Sequence, residues 1–439
     1  MKKYISFLGT TKYIECIYTY GGKEATPSRF VQTAIYEHFS EAGDECEFIV
    51  FVTDTSRARN WEDSIDREGN PLEGLASAFQ RIAPDVHVKV IEISDNHDEQ
   101  SNWEIFDKLI QEIGDQDEIY FDITHGYRSF PMLALIVLNY VRFIKQARIG
   151  KIVYGQFEQL GPAYLVKELK MEERKAPILD FTNMLSLLDW TNGVDAFLRN
   201  GDTSLIRELS QSERRELFLN SGNVTTEMKK EAALLDKFAK QLDVVSQSFE
   251  TCRGQTINKE IRLMKDMIQE IKNEKAEQIK PLVPLVGEVE KKFDGFGDNF
   301  TMDTFAIIDW CIDNHLIQQG YTFPQENVIT LILRACGLDE IERENREDVN
   351  SAIRIVKDSI GRENWRVHDS AKTEKIIRFI KKNVDFIEPY GALTDYRNNI
   401  NHAGMNKNNI TYNKFSKKLE ELADTFRPFF EAVANEIDH

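Results

Sequence analysis

The sequence predicts an α/β domain with a mostly parallel sheet, followed by an all-helical half. In the first part of the chain, short β-branched or aromatic runs alternate with helical patterns, which indicates βαβ units. After about residue 170 this alternation stops, and apolar residues recur at helical spacing. A chain of 439 residues is also too long for one compact core. We therefore expect three regions, at residues 1–170, 171–300 and 301–439.

The predicted strands of the α/β domain are apolar runs that end in polar residues, at 4–8, 48–52, 88–93 and 119–123. Helical patterns separate them, at 29–39, 72–82 and 103–113. The most apolar stretch, residues 130–141, is too short to span a membrane and predicts a buried helix. A Gly161-Pro162 turn predicts a closing hairpin at the sheet edge, between runs at 151–157 and 164–169.

The second half shows only helical periodicity. Its predicted helices cover residues 178–198, 226–249, 257–279, 307–317, 329–333, 349–360, 375–387 and 415–437. Prolines and glycines interrupt the pattern at Pro281, Pro284, Gly295 and Gly297. These interruptions place the boundary between a helical connector and a last domain near residue 300.

The composition excludes several classes of protein. A formal net charge of −18 argues against non-specific coating of nucleic acid. Five scattered cysteines without a C-x-x-C pair exclude a disulfide framework or a zinc ribbon and fit a reducing cytosol. The chain does not open on a signal-peptide pattern, so we expect a cytoplasmic protein without membrane association. No histidine spacing predicts a metal site.

Polar residues follow the predicted strands, where ligands bind in an open parallel sheet. The run after the fourth strand leads into a helix that begins near Pro131, with Ser129 as a predicted N-cap. Backbone N–H groups there, together with the charge of Arg128, suit an anionic ligand that bears phosphates. The candidate ligand-binding residues are Gly9, Thr10, Thr11, Thr53, Asp54, Thr124, His125, Gly126, Tyr127 and Arg128. The alternative is an ordinary polar turn that His125 caps.

Two segments of this α/β half resemble a known family. A first strand ending in Phe7-Leu8-Gly9-Thr10, with Asp122-x-Thr124-His125-Gly126 after the fourth, resembles the D-x-T-H-G group of type III CRISPR-associated proteins. The resemblance implies a Rossmann-like CARF sensor domain, a helical connector and a HEPN ribonuclease domain. It also implies a homodimer that binds cyclic oligoadenylate as activator, with cyclic tetra-adenylate favoured over hexa-adenylate. No cofactor and no stable complex with the CRISPR effector are expected.

The nuclease motif of that family, R-x4–6-H, is matched by Arg397 and His402. Histidine can move a proton near neutral pH, and arginine can stabilise a charged phosphorane, so RNA can be cut without a metal through attack of its 2′-hydroxyl. We expect Asn398 and Asn401 to orient phosphate or the arginine. The motif lies between residues 369 and 420, where ten Lys or Arg face six Asp or Glu.

The spacing of this motif is unfavourable for a site within one chain. Five residues of α-helix turn through about 500°, so Arg397 and His402 point about 140° apart. We therefore expect two chains to build one composite site. The alternative is a plain helix end, in which Arg397 pairs with Asp395 or Glu388 and His402 caps the last turn.

The sequence therefore favours a cyclic-oligoadenylate-activated, metal-independent endoribonuclease. Its single-stranded RNA products would end in 2′,3′-cyclic phosphates. Two alternatives are a non-enzymatic CARF-type regulator and a sensor that also degrades its activator. The acidic helical half shows no clear basic recognition helix for DNA.

Overall fold

The computed structural model describes residues 1–41, 43–66, 69–96, 98–126, 130–219, 225–274, 279–297, 300–405 and 410–437. The chain divides into two compact units, Met1–Ser186 and Leu187–His439. The first unit therefore extends beyond the expected boundary at residue 170.

The first unit is an α/β domain, as the alternation of patterns predicts. Its strands are β1 (Lys2–Phe7), β2 (Ile17–Tyr20), β3 (Lys23–Glu24), β4 (Cys46–Val52), β5 (Ser64–Ile65), β6 (Pro71–Leu72), β7 (His87–Glu92), β8 (Glu118–Asp122), β9 (Arg148–Gly155) and β10 (Lys175–Asp180). Its helices are α1 (Val31–Phe39), α2 (Asp54–Ser56), α3 (Leu75–Ile82), α4 (Glu99–Glu112), α5 (Phe130–Ile144) and α6 (Ala163–Val166). The four predicted strands are confirmed as β1, β4, β7 and β8.

Eight of these strands form one sheet in the order β3-β2-β10-β9-β8-β1-β4-β7, and β5 pairs with β6 separately. The central strand β1 runs parallel to both β4 and β8. Along it, Tyr4 is in register with Phe48 and Tyr120, and the three rings pack together in the core. β4 ends in five consecutive buried residues, as expected for a parallel strand covered on both faces.

The strand order reverses at β1. After the edge strands β2 and β3, the chain places β4 and β7 on one side of β1, and later returns to place β8 and β9 on the other. A crevice forms at such a switch point, outside the carboxyl ends of the two strands. The turns after β1 and β8 are therefore the place where this fold binds a ligand most readily.

The predicted hairpin is wrong in its second strand. β9 pairs antiparallel with β10, whereas residues 164–169 begin in the short helix α6. Only Val166 of α6 is buried, so this segment lacks the alternation that a half-buried strand needs. In β10, Ala176 and Ile178 alternate with more exposed residues, but the central Pro177 weakens the strand pattern in the sequence.

The helix expected at residues 130–141 is present as α5, but only one of its faces is buried. Ala134, Val137, Leu138 and Val141 are buried. Several large apolar side chains on the same helix are exposed: Met132, Leu135, Ile136, Tyr140, Phe143 and Ile144. The prediction of a buried helix therefore holds for one face only, because apolar composition does not reveal whether a second layer covers the helix.

The described residues of the second unit form helices and the segments that connect them, without a strand. Its helices are α7 (Thr182–Asn200, which begins in the first unit), α8 (Ser204–Leu219), α9 (Thr226–Glu250), α10 (Ile257–Asn273), α11 (Val283–Lys291), α12 (Phe300–Asp313), α13 (Ile317–Ala335), α14 (Arg343–Lys357), α15 (Ser370–Lys382), α16 (Ile387–Asn401) and α17 (Tyr412–Ile437). Within the described part of the chain, no helix has the length and apolarity to cross a bilayer.

Two apolar clusters hold this unit together. One gathers side chains from α7 to α13, and the other gathers side chains from α12 to α17. α12 contributes side chains to both clusters. Its Ile307 and Trp310 belong to the cluster of α7 to α13, and its Phe305 and Ile308 belong to the cluster of α12 to α17. The boundary expected near residue 300 thus falls at the start of a helix that packs on both sides.

Candidate functional site

The turn after β1 is held by a segment that follows α2. Asn60 donates from Nδ2 to the carbonyl oxygens of Gly9 (2.8 Å) and Thr11 (2.9 Å), and Arg59 donates to that of Thr10 (3.2 Å). The Gly9 N–H donates to the Tyr13 hydroxyl at 2.8 Å. The turn is therefore preformed, because the N–H of Gly9 and the carbonyls of Gly9, Thr10 and Thr11 already have protein partners.

Gly9 also leaves little space for a side chain. A Cβ at this position would lie 2.6 Å from the Tyr13 hydroxyl and 3.6 Å from the Cβ of His125. The turns after β1 and β8 therefore meet, as the strand order requires. Arg59, Asn60 and Tyr13 take part in this meeting point, and the sequence motif named none of them.

Thr53 has a structural role. It is the N-cap of α2: its hydroxyl accepts from the Ser56 N–H at 3.2 Å, and its own N–H donates to the Ser56 hydroxyl at 2.9 Å. Thr53 is buried, whereas Asp54 is exposed at the first position of the helix. The cap orients the segment that carries Arg59 and Asn60, so Thr53 supports the crevice through the backbone.

Asp122 and Thr124 tie the end of β8 to its neighbours. The buried Asp122 carboxylate accepts from the Ser6 hydroxyl (2.6 Å) and from the Thr124 N–H (2.8 Å), and burial raises the pKa of this carboxyl. The Thr124 hydroxyl accepts from the Gly155 N–H at 2.8 Å. These bonds join β8 to β1 and β9, so the first and third residues of the D-x-T-H-G run fix the position of the fourth.

His125 differs from its neighbours. Its ring lies 4.3 Å from the Tyr13 ring, and its Nε2 is shielded from solvent without a hydrogen-bond partner among the described residues. Burial lowers the pKa of His125 to about 4, so the imidazole is neutral at neutral pH. It can therefore offer a hydrogen bond to a ligand but no charge. Gly126, at φ 118°, follows it on the exposed side of the turn.

The structure does not describe Arg128, the cation expected in this turn. Tyr127 and Arg128, together with the expected N-cap Ser129, lie outside the described residues. In the described part of the crevice, the loops contribute backbone groups, the neutral His125 and the exposed Arg59.

The second candidate site lies in the helical unit. Arg397 and Asn401 project from one face of α16 into a cleft of about 310 Å³. The opposite walls come from α13 and from the turn between α9 and α10. The cleft is lined by Glu250, Thr251, Cys252, Gln318, Gln319, Thr322, Arg397 and Asn401.

Side-chain amides organise this cleft. Arg397 donates from Nη1 to Oε1 of the buried Gln325 at 3.1 Å, and Gln325 also hydrogen-bonds Tyr390. The Nε of Arg397 is buried without a partner among the described residues. Gln318 donates from Nε2 to Oδ1 of Asn401 at 3.0 Å. Among the described residues, the guanidinium thus donates to a neutral acceptor, and no described ion pair involves it.

His402 lies apart from the cleft lining. It is the C-cap residue of α16, and its side chain is exposed. Its N–H donates to the carbonyl of Asn398, which is also exposed. Gly404, at φ 69°, follows the helix end in the left-handed conformation that glycine adopts readily.

The structure therefore brings two of the four expected catalytic residues together, Arg397 and Asn401. The alternative interpretation, a plain helix end, agrees with the structure in one respect, because His402 lies at the end of α16. In the described part of the chain, however, no ion pair joins Arg397 to Asp395 or Glu388.

The R-x4–6-H motif does not predict that side chains of α13 line the cleft. Gln318, Thr322 and Gln325 are spaced by four and three residues, which places them on one face of the helix. That polar stripe is visible in the sequence, but it does not reveal which helix it faces. Among the described residues, no group of three His, Cys, Asp or Glu side chains is arranged to hold a metal ion.

Comparisons with known proteins bear on both units. Residues 3–158 match the family model described as "CRISPR system endoribonuclease Csx1, CARF domain", and residues 186–296 match "CRISPR-associated protein MJ1674, second domain". The CRISPR-associated protein MJ1674 of Methanocaldococcus jannaschii is 22% identical over 354 residues, which cover 80% of this chain and 48% of that protein. The chain thus spans about half the length of this curated relative. The matches support a CRISPR-associated protein with an N-terminal CARF domain, and the α/β fold agrees with them.

Proposed function

We propose that this chain is a cyclic-oligoadenylate-activated, metal-independent endoribonuclease of type III CRISPR defence, which cleaves single-stranded RNA. The observation that carries the proposal is the match of residues 3–158 to a CARF domain whose family is described as an endoribonuclease. The retained Asp122-x-Thr124-His125-Gly126 run supports assignment to the D-x-T-H-G group. In this proposal, residues 301–439 form the HEPN ribonuclease domain.

The sensor in this proposal is the crevice between the turns after β1 and β8. Its preformed turn and the Nε2 of the neutral His125, which has no hydrogen-bond partner among the described residues, suit hydrogen bonding to the sugars or bases of a nucleotide ring. The ligand activates only if it binds the active arrangement more tightly than the inactive one. A near-complete switch needs about 5.5 kcal/mol of such preference.

The chemistry in this proposal takes place at Arg397 and His402. The 2′-hydroxyl attacks the adjacent phosphorus, the bond to the 5′-oxygen breaks, and the leaving oxygen takes a proton. Arg397 stabilises the charge that develops on the phosphoryl oxygens, since no carboxylate neutralises it in the described contacts. His402 transfers a proton. The products carry 2′,3′-cyclic phosphate and 5′-hydroxyl ends.

The proposal includes a homodimer. Within one chain, His402 is not part of the cleft that Arg397 lines, so a second copy supplies the missing proximity. A second support is the apolar surface of α5, where Phe143 is 86% and Ile136 is 56% exposed. Exposed apolar surface of this kind marks contact sites between proteins.

The test is an RNA cleavage assay with the purified chain in EDTA, with and without cyclic tetra-adenylate or cyclic hexa-adenylate. We expect ligand-dependent cleavage to 2′,3′-cyclic phosphates, and a loss of about 10²- to 10⁴-fold in His402→Ala. Cleavage that is unchanged in His402→Ala contradicts the catalytic assignment. Ligand binding without RNA cleavage supports the non-enzymatic regulator, and shortening of the cyclic ligand itself supports a sensor that degrades its activator.

A further inference from the structure

The cleft beside Arg397 has walls that the R-x4–6-H motif does not contain. Gln318, Gln319 and Thr322 come from α13, and Thr251 and Cys252 come from the turn after α9. The proposed chemistry needs only an arginine and a histidine. The proposed reaction therefore does not explain why the cleft has these additional walls.

The two amides at its mouth are fixed relative to each other. Because Gln318 donates from Nε2 to Oδ1 of Asn401, the orientation of both amides is determined. Gln318 Oε1 and Asn401 Nδ2 then have no partner among the described residues. An acceptor and a donor side by side complement the hydrogen-bonding edge of an unstacked base, as in the recognition of single-stranded RNA.

The charge of the lining limits the ligand. Among the described lining residues, Arg397 is the cation and Glu250 is the carboxylate, so the lining is balanced overall. A polyphosphate would need more positive charge, whereas one phosphodiester needs a single guanidinium. Burial raises the pKa of the Cys252 thiol, so this wall is neutral and holds no thiolate nucleophile.

The size of the cleft agrees with a small ligand. Its volume of about 310 Å³ lies at the lower end of the range of about 300–1,000 Å³ that small-molecule sites occupy. This volume suits one nucleotide unit but not a folded polynucleotide.

We propose that this cleft binds one nucleotide of the RNA substrate next to the cut, with the Gln318–Asn401 amide pair hydrogen-bonding the base and Arg397 holding the phosphate. This inference rests on the proposed ribonuclease function. It makes Gln318 a specificity-determining residue, outside the proton-transfer step. The base preference of the enzyme then depends on an amide from α13.

The test uses the full chain with its activator and RNAs that differ only in the bases that flank the cut. Wild type is expected to favour one base by about tenfold. Gln318→Ala is expected to level that preference and to raise KM about tenfold, with kcat changed less than about twofold. Gln269→Ala is the matched control, because this exposed amide on α10 hydrogen-bonds Glu290 outside the cleft. An unchanged preference and KM in Gln318→Ala overturn the inference, and so does a wild type without base preference.

A binding measurement separates this inference from the proposed function. A fluorescent 2′-O-methyl RNA, which cannot be cleaved by its own 2′-oxygen, is titrated with wild type, Gln318→Ala, the near-isosteric Gln318→Glu and Gln269→Ala. We expect weaker binding in both Gln318 variants, and more so with the added carboxylate. If wild type cleaves no RNA, the proposed function fails, yet Gln318-dependent binding still supports the cleft. Equal affinity of all four proteins overturns it.

Discussion

The two candidate sites are built in different ways. At the sheet edge, backbone turns after β1 and β8 meet because the strand order reverses there, and Asn60 and Arg59 hold one turn in place. In the helical unit, side chains from α13 and α16 meet across a cleft whose amides orient them. The first site is thus determined by topology and the second by helix packing. Substitutions should therefore act differently at the two places.

The largest effect is expected at Arg397. Arg397→Ala removes the cation from the described cleft lining, and RNA cleavage should fall by about 10³-fold at unchanged thermal stability. Single-turnover cleavage in the presence of the activator measures this loss. Binding of the cyclic oligoadenylate to the first unit is the internal control and should not change. If Arg397→Ala cleaves RNA at a rate within tenfold of wild type, the reaction takes place at a site other than Arg397.

A second effect concerns the pH dependence of stability at the sheet edge. An unfolded histidine titrates near pH 6.5, whereas the pKa of His125 in the folded chain is about 4. The folded chain binds this proton less readily than the unfolded chain does. The free energy of unfolding is therefore highest above about pH 6.5, and the histidine lowers it by about 3 kcal/mol as the pH drops to about 4. Asp122 acts in the opposite direction, since burial raises the pKa of its carboxyl.

Comparison of wild type with His125→Asn isolates the histidine contribution. Hydrogen exchange of the β1 and β8 amides, followed from pH 7 to pH 4, reports on the first unit alone. The variant should lose less protection than wild type over this range. Equal slopes for the two proteins contradict the buried, neutral state of His125.

A third effect concerns the packing behind the cleft. A Cβ at Gly320 of α13 would lie 2.5 Å from Cδ2 of Leu419 and 3.2 Å from the Cβ of Cys311. Gly320→Ala should therefore destabilise the second unit by about 1–3 kcal/mol. Gly287→Ala in α11 is the matched control, because its Cβ meets nothing within 4 Å and should stabilise the helix by about 0.5–1 kcal/mol. Chemical denaturation compares the two, and a Gly320→Ala protein as stable as wild type contradicts the close packing.

The smallest effect is expected at Gln325, which positions Arg397 through its side-chain oxygen. Gln325→Leu should lower kcat about tenfold and leave KM nearly unchanged, because the guanidinium loses its orientation but not its charge. Gln325→Glu retains an acceptor but adds a carboxylate that neutralises Arg397, so its rate should stay below that of wild type. Steady-state kinetics of both variants make the comparison, and a Gln325→Leu enzyme with wild-type kcat removes Gln325 from the positioning of Arg397.

The sequence predicted the α/β unit well because buried parallel strands leave a strong local signal. β1, β4, β7 and β8 are short apolar runs bounded by polar residues, and their order implies where their ends meet. β10 was missed because Pro177 interrupts its pattern, and the exposed face of α5 could not be inferred from its apolar composition.

The helical site was predicted only in part. R-x4–6-H identified α16, and the angle between its two residues agrees with His402 lying outside the cleft lining. The contribution of α13 depends on which helices pack against each other, and a polar stripe such as Gln318, Thr322 and Gln325 does not contain that information. At the sheet edge, Asn60 was missed for a similar reason, since it reaches the Gly9 turn from a distant segment.

The most direct test of a sensor joined to a nuclease is a titration of RNA cleavage with cyclic tetra-adenylate, in EDTA, for wild type and His125→Ala. We expect wild type to be activated, and His125→Ala to need at least about tenfold more ligand for half-activation while it reaches the same maximal rate. Such a result places ligand recognition at the sheet edge and cleavage elsewhere. Cleavage by wild type that does not depend on cyclic tetra-adenylate or cyclic hexa-adenylate, or an identical midpoint in His125→Ala, contradicts the account.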